Sequence, residues 1–201
     1  MARTLIHLVR HGEVRNDEGV LYGSLPGFHL SDRGRAMADA AAAHFAGRDV
    51  RLVLASPLDR TQETAAAIAS AVGREVVTDA RLTEATNRFE GSVFGPADLL
   101  RRPARIRHLT NPMLPTWGEH YSDQAVRMRA ALDDARGHVD GGEAVLVSHQ
   151  SPIWVLRCTL AGRRSWGPPS RRQCSPASVT TLSYESGELV AVSYTEPYRF
   201  T

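Results

Sequence analysis

Short, almost wholly apolar runs alternate along the chain with longer stretches of helical periodicity. Thr4 to Val9 (TLIHLV), Arg51 to Ala55 (RLVLA) and Ala144 to Ser148 (AVLVS) are apolar at nearly every position rather than at every second one. Strands buried on both faces read this way, as in a parallel sheet covered by helices. Glu75 to Thr78 predicts a further short strand. Ser31 predicts the N-cap of an alanine-rich helix that runs to about Phe45 and is ended by Gly47. Leu58 to Val72 predicts a second helix, ended by Gly73, and Glu119 to about Arg136 a third, with Gly137 near its stop. Pro152 suits the first turn of a fourth helix reaching about Leu160.

Beyond that point the pattern changes. Ser178 to Tyr184 and Leu189 to Thr195 predict two strands joined by a turn at Glu185-Ser186-Gly187. Strand–helix alternation closed by a hairpin predicts an α/β fold: a three-layer sandwich with a mostly parallel mixed sheet and helices on both faces. Residues 1–201 read as one domain. From about 89 to 117 the periodicity fails, with Pro96, Pro103, Pro112 and Pro115 and the string Arg101, Arg102, Arg105, Arg107. This segment is expected to be a short insertion over the active-site end of the sheet, its arginines a solvated face. Gly162 to Ser175, with Pro168-Pro169, reads as a loop.

Composition narrows the function classes. Of the 201 residues, 42% are hydrophobic and 23% charged, which fits a globular chain and not a disordered one. The formal charge of +2 gives no reason to expect a nucleic-acid partner. Every basic residue other than histidine is arginine, so Schiff-base and P-loop lysine chemistry are excluded. Cys158 and Cys174 form no CxxC, and no apolar run reaches the ~20 residues of a membrane span. The opening residues lack a signal peptide's apolar core, so a cytoplasmic location and no membrane partner are expected.

The chemistry gathers where the predicted strands end. The first runs into Arg10-His11-Gly12-Glu13, the second into Ser56-Pro57-Leu58-Asp59-Arg60, and the third into His149-Gln150-Ser151-Pro152. Ligands of open α/β sheets bind at the carboxyl ends of strands. Three strands bringing arginine or histidine to one edge predict an anion pocket suited to phosphate.

These blocks resemble the histidine phosphatase superfamily, also called the phosphoglycerate mutase-like family. The matching residues are LVRHGE at Leu8 to Glu13, LSDRG at Leu30 to Gly34, LASPLDRTQETA at Leu54 to Ala65, LxE at Leu82 to Glu84 and LVSHQSP at Leu146 to Pro152. The resemblance implies a phosphomonoester hydrolase in which His11 is the nucleophile and forms a phosphohistidine. Arg10, Arg60 and His149 would bind the phosphoryl oxygens, and Glu84 would protonate the leaving oxygen. Asn16 and the backbone N–H of Gln150 would add hydrogen bonds, and Ser24, in the loop after Asn16, is a further ligand candidate. A small-molecule phosphate ester is the implied partner, with no cofactor and no metal; a homodimer stays open.

The chain departs from the family pattern in three places. One residue is missing after Glu84, where Arg88 replaces a glycine, so Glu90 is the alternative acid. Another is missing before Asn16, and Trp117-Gly118-Glu119-His120 replaces a Gly-Glu-Ser. Trp117 and Tyr121 suit either the pocket mouth or packing. The alternatives to hydrolysis are a phosphoglycerate mutase-type phosphotransferase and a non-catalytic phosphate-binding module.

Overall fold

The computed structural model describes residues 3–93, 95, 100–103 and 117–198. Most of the expected insertion, including Arg105 and Arg107, lies outside them. Six strands form one sheet: β1 (Arg3–Arg10), β2 (Val50–Ala55), β3 (Val76–Thr78), β4 (Glu143–Ser148), β5 (Val179–Glu185) and β6 (Glu188–Thr195). Their order is β3-β2-β4-β1-β5-β6. The first four are mutually parallel, while β5 lies antiparallel to β1 and β6 to β5. The hairpin closes through Ser186 and Gly187, both at positive φ (52° and 86°), the pair of left-handed residues a two-residue turn needs.

Among the described residues, α1 (Asp32–Phe45), α2 (Asp59–Val72), α3 (Tyr121–His138) and α4 (Gln150–Leu160) cover the sheet. Alternate residues of the central strands feed two separate cores. Val9, Val53, Val145 and Val147 pack with Met37, Phe45 and Ile68 of α1 and α2. Ile6, Leu8, Leu54 and Leu146 pack on the other side with Met128, Leu132, Ile153 and Leu156 of α3 and α4. The uniformly apolar strands follow from this, because both faces of each are buried. The three-layer α/β expectation therefore holds. Helix α3 ends one residue beyond Gly137, at His138, whose Nδ1 bonds the Asp134 carbonyl, so Gly137 does lie near its stop. Among the described residues no helix is long and apolar enough to cross a membrane.

Two glycines hold the start of the site together. The Cα of Gly12 faces the backbone of Gly34 so closely that a Cβ on Gly12 would sit 2.4 Å from the Gly34 oxygen. A Cβ on Gly34 would lie within bonding range of the Glu13 carbonyl. Around this contact Ser31 caps α1 by accepting from the Gly34 N–H, and its hydroxyl donates to the Glu13 carboxylate. The LSDRG block thus serves to dock α1 against the segment that carries His11.

Midway along β1, His7 is fully buried. Its Nε2 lies 3.0 Å from Glu143 Oε2, which also accepts from Arg48 Nε at 2.8 Å. The His7 hydrogen bond and the Arg48 charge hold the Glu143 carboxyl down at about 2. Burial keeps His7 itself below its ordinary range. A carboxylate can only accept, so Nε2 carries the proton and Nδ1 accepts from the Thr181 hydroxyl 2.9 Å away.

Two measurements check these packing arguments. Gly34→Ala should lose about 1–3 kcal/mol in urea unfolding, since backbone atoms and not a flexible side chain must yield. Glu143→Gln should lose about 1–3 kcal/mol, the cost of weakening charged hydrogen bonds to His7 and Arg48. The wild-type share of that stability should persist above pH ~4.5 and vanish as pH falls toward 2, because the folded-state pKa is the lower one.

Candidate active site

Strand register places the two histidines side by side. β1 and β4 pair Val9 with Val147 and Arg10 with Ser148, so the next residues, His11 and His149, leave neighbouring strands at the same level. The His11 N–H continues the ladder to the Ser148 carbonyl at 3.1 Å. β2 pairs Ala55 with Val147, and the Ser56 N–H then donates to the Val147 carbonyl. Three strand ends, three chain reversals and one edge result. The two imidazoles are 5.1 Å apart, centroid to centroid, and nearly edge to face.

The surroundings of His11 fix its protons. Its exposure is 3%, and its Nδ1 lies 2.7 Å from the Gly12 carbonyl. A carbonyl can only accept, so Nδ1 carries the hydrogen and Nε2 keeps its lone pair. Burial first, then the charges of Arg10 and Arg60, push the His11 pKa well below its ordinary value. The ring is therefore neutral at neutral pH. His149, at 0% exposure, is depressed in the same way by burial, then by His11, Arg60 and Arg10. Its Nε2 lies 2.9 Å from the Ser56 hydroxyl.

Arg60 comes from the first turn of α2 and is completely buried. Its terminal nitrogens donate to the Leu25 and Gly23 carbonyls, and its guanidinium stands 4.9 Å from the Tyr22 ring centroid. Neighbouring residues of α2 explain the rest of that sequence block. The Asp59 carboxylate accepts from the Gly27 N–H, Glu63 accepts from the Leu30 N–H, and the Thr64 hydroxyl accepts from the Gly12 N–H. The helix thus holds both the 16–30 loop and the His11 turn.

Five buried side-chain polar atoms among the described residues have no hydrogen-bond partner. Four of them are Arg10 Nε, Arg60 Nε, Arg172 Nε and His149 Nδ1. An unmatched buried donor costs about 1–3 kcal/mol, and such a debt concentrated on cationic groups marks a place for an anion. The adjoining cleft has a volume of about 320 Å³, and its walls include Arg10, His11, Glu84, Gln150 and Arg172. Arg60 and His149, both fully buried, are not among the residues that line it.

The two candidate acids are held quite differently. Glu90 accepts from the Ser24 and Asn87 N–H groups with one carboxylate oxygen and from the Ser24 hydroxyl with the other. Gly23 faces it so closely that a Cβ there would clash with the carboxylate. Glu90 therefore ties the 16–28 loop to the segment before the insertion. Glu84 lines the cleft and, among the described residues, accepts only from the Ala85 N–H. Burial raises its pKa, against the lowering effects of that hydrogen bond and of Arg10, Arg60 and Arg172.

Asn16 and Ser24 are not among the residues that line the cleft, and their side chains bond within the 16–28 loop and to Glu90. The Asn16 amide donates to the Val20 carbonyl and accepts from the Val20 N–H, closing its own loop. The Ser24 hydroxyl is committed to Glu90. Gln150 does line the cleft and opens α4, where the first backbone N–H groups have no intrahelical acceptor. Trp117 and Tyr121 both reach the cleft wall, as does Gln124, whose amide oxygen accepts from the Ser151 hydroxyl. Arg172 and Ser56 were not singled out by sequence reasoning. Arg172 is one of 24 arginines and sits in a loop with no recognisable motif. Ser56 was visible only as the residue after a strand.

Comparison with known proteins agrees with this architecture. The family model for the histidine phosphatase superfamily (branch 1) matches residues 6–197. The uncharacterized protein Rv0525 of Mycobacterium tuberculosis (strain ATCC 25618 / H37Rv) is 52% identical over 195 residues, 96% of each chain. The protein named Probable phosphoglycerate mutase GpmB of Yersinia enterocolitica is 34% identical and covers 78% of this chain and 74% of its own. Among solved structures, mycobacterial glucosyl-3-phosphoglycerate phosphatase Rv2419c superposes with a TM-score of 0.77 at 26% identity, over 96% of this chain and 97% of that one. Phosphoserine phosphatase of Entamoeba histolytica shares the fold, with a TM-score of 0.75 at 21% identity over 96% and 98%. With a family match running through nearly its whole length, the chain belongs to the histidine phosphatase superfamily, branch 1.

Proposed function

We propose that the protein hydrolyses small-molecule phosphomonoesters through a phosphohistidine formed on His11. The observation that carries this reading is the neutral, buried His11, its Nε2 lone pair free, set among cationic groups whose buried N–H donors lack partners. In the first step His11 Nε2 attacks phosphorus and the ester P–O bond breaks. The leaving oxygen takes the proton of Glu84, whose raised pKa favours the acid form. The phosphorylated ring keeps its Nδ1–H on the Gly12 carbonyl, which steadies the positive charge that develops there. In the second step the Glu84 carboxylate takes a proton from water, the water oxygen attacks phosphorus, and the N–P bond breaks to give inorganic phosphate and neutral His11.

Arg10 and Arg60 supply positive charge around the transferring phosphoryl group, and the neutral His149 ring and the α4 N-terminus offer hydrogen-bonding groups beside them. Most catalysis in phosphoryl transfer comes from such preorganised charge. The reading requires no metal or cofactor. A phosphoglycerate mutase-type transfer is a second reading, supported by the GpmB relative at 34% identity. A hydrolase releases inorganic phosphate from 3-phosphoglycerate, whereas a mutase accumulates the 2-isomer. A non-catalytic phosphate-binding module would do neither.

Turnover of para-nitrophenyl phosphate should survive a chelator and fall by about 10³ or more in His11→Ala. A phosphorylated wild-type protein should be trapped by alkaline quench and be absent from that variant. Equal turnover in the two proteins would sink the proposal. Glu84→Gln should lose about 10²–10⁴ in kcat on an alkyl phosphate and clearly less on the aryl ester, whose leaving group needs no proton. Glu90→Gln should spare that difference. The pH profile of kcat/KM should rise through the His11 pKa, which lies below 6.5, and fall through that of Glu84, which lies above 4.5. The profile is thus expected to be bell-shaped, and Glu84→Gln should remove its falling limb.

A further inference from the structure

Glu84 is aimed into the cleft by the chain that carries it. Among the described residues its carboxylate accepts only from the N–H of the next residue, so no other element holds the side chain directly. The course of segment 81–88 therefore fixes the acid, and that segment is anchored on both sides of Glu84. Upstream stands a single 3₁₀ turn, Ala80–Leu82, capped by the Asp79 side chain. The buried Ser148 hydroxyl donates to the Leu82 carbonyl at 2.6 Å, and Arg127 Nη1 donates to the Arg81 carbonyl. Downstream, the Arg88 N–H donates to the Trp117 carbonyl at 2.7 Å, and the Glu119 N–H donates to the Thr86 carbonyl at 3.2 Å. Gly118 passes so close to this pairing that a Cβ there would clash with the Thr86 carbonyl.

The two anchors meet in one ion pair. Arg127, on α3, turns the rest of its fork on Glu119: Nε donates to Oε1 at 2.7 Å and Nη2 to Oε2 at 2.8 Å. The guanidinium that holds residue 81 thus also holds the residue whose N–H holds residue 86. The fully buried Gln124 adds a bond from its amide to the Glu119 carbonyl at 3.1 Å. The two charged side chains are only 19% and 20% exposed, so this bidentate pair is ordered where an exposed one would be mobile and screened. Arg127 is not among the residues that line the cleft. We propose that Arg127 is a positioning residue: with Glu119 it closes a clamp around the segment that carries Glu84, and so sets how that carboxyl meets the leaving oxygen. This rests on the reading of Glu84 as proton donor. His11 and Arg60 are carried by other elements, the turn after β1 and helix α2, so loosening the clamp should impair proton donation and spare phosphoryl binding.

The test compares kcat of the full-length protein on para-nitrophenyl phosphate, whose leaving group needs no proton, and on glycerol 3-phosphate, whose leaving group does. Arg127→Gln should lower kcat on the alkyl ester by about 10- to 100-fold, the scale of a roughly 1 Å misplacement, with KM and the aryl kcat near wild type. Arg127→Lys keeps the charge without the fork and should recover part of the loss. Added to Glu84→Gln, Arg127→Gln should leave the alkyl-to-aryl ratio where Glu84→Gln alone puts it. Arg129→Gln, at an exposed position of the same helix that bonds Asp133, should leave both esters unaffected. Amide hydrogen exchange reads the clamp without turnover: in Arg127→Gln the Arg88 and Glu119 amides should exchange roughly tenfold faster, while those of β4 keep their protection. Equal losses on the two esters, or unchanged exchange at Arg88 and Glu119, would overturn the proposal. If Glu84→Gln shifts the ratio and Arg127→Gln does not, the acid assignment stands and the clamp fails. If Glu84→Gln itself leaves the ratio unchanged, the acid assignment fails and the proposal falls with it.

Discussion

Positive charge buried at the ends of parallel strands is the constraint on which the rest of this structure depends. Arg60 has no exposed surface and no carboxylate at ion-pair distance among the described residues. Carbonyls of the 16–30 loop and the face of Tyr22 hold it instead. Removing a guanidinium from water is costly, and these neutral partners only partly compensate. The same holds for Arg10, whose Nε is buried and unmatched. The fold tolerates this because the surrounding scaffold is rigid: two dry cores grip both faces of the strands, and the glycine contact between residues 12 and 34 locks the first turn. An anion in the cleft would offer these unmatched donors the partner that the protein itself does not supply.

That charge also determines the protonation of its neighbours. Two imidazoles beside two arginines stay neutral, so His11 keeps a nucleophilic lone pair without needing a base to generate it. Burial acts on Glu84 in the opposite sense, favouring the neutral acid, while the arginines oppose it. The one environment thus supports a neutral base and a neutral acid side by side. The same low dielectric pushes the His11 and Glu84 side chains each toward its neutral form.

Polar residues around the pocket divide into those that face the cleft and those that hold the loops, and residue type does not distinguish them. Glu84 and Glu90 are six positions apart and chemically identical. One is left open to the cleft, and the other has both oxygens saturated by the 23–24 and 87 segments. Asn16 and Ser24 belong with Glu90, since each bonds the chain that carries it or the loop it closes. Ser56, through its contact with His149 Nε2, helps to orient a ring and has no need to touch a ligand.

The sequence by itself determined the layers and the identity of the cationic groups. Apolar runs without alternation can only be strands covered on both sides, and a residue following such a run must leave at a sheet end. His11, Arg60 and His149 were legible on that ground, as were the Ser31 cap and the closing hairpin. Only the tertiary structure decided which strand ends are neighbours, because the order β3-β2-β4-β1-β5-β6 depends on pairings between distant segments that no local pattern encodes. It likewise decided that Glu84 and not Glu90 is open to the cleft, and that Arg172 joins the pocket. Each of these depends on what a side chain meets across the fold, and that information exists only once the chain has closed on itself.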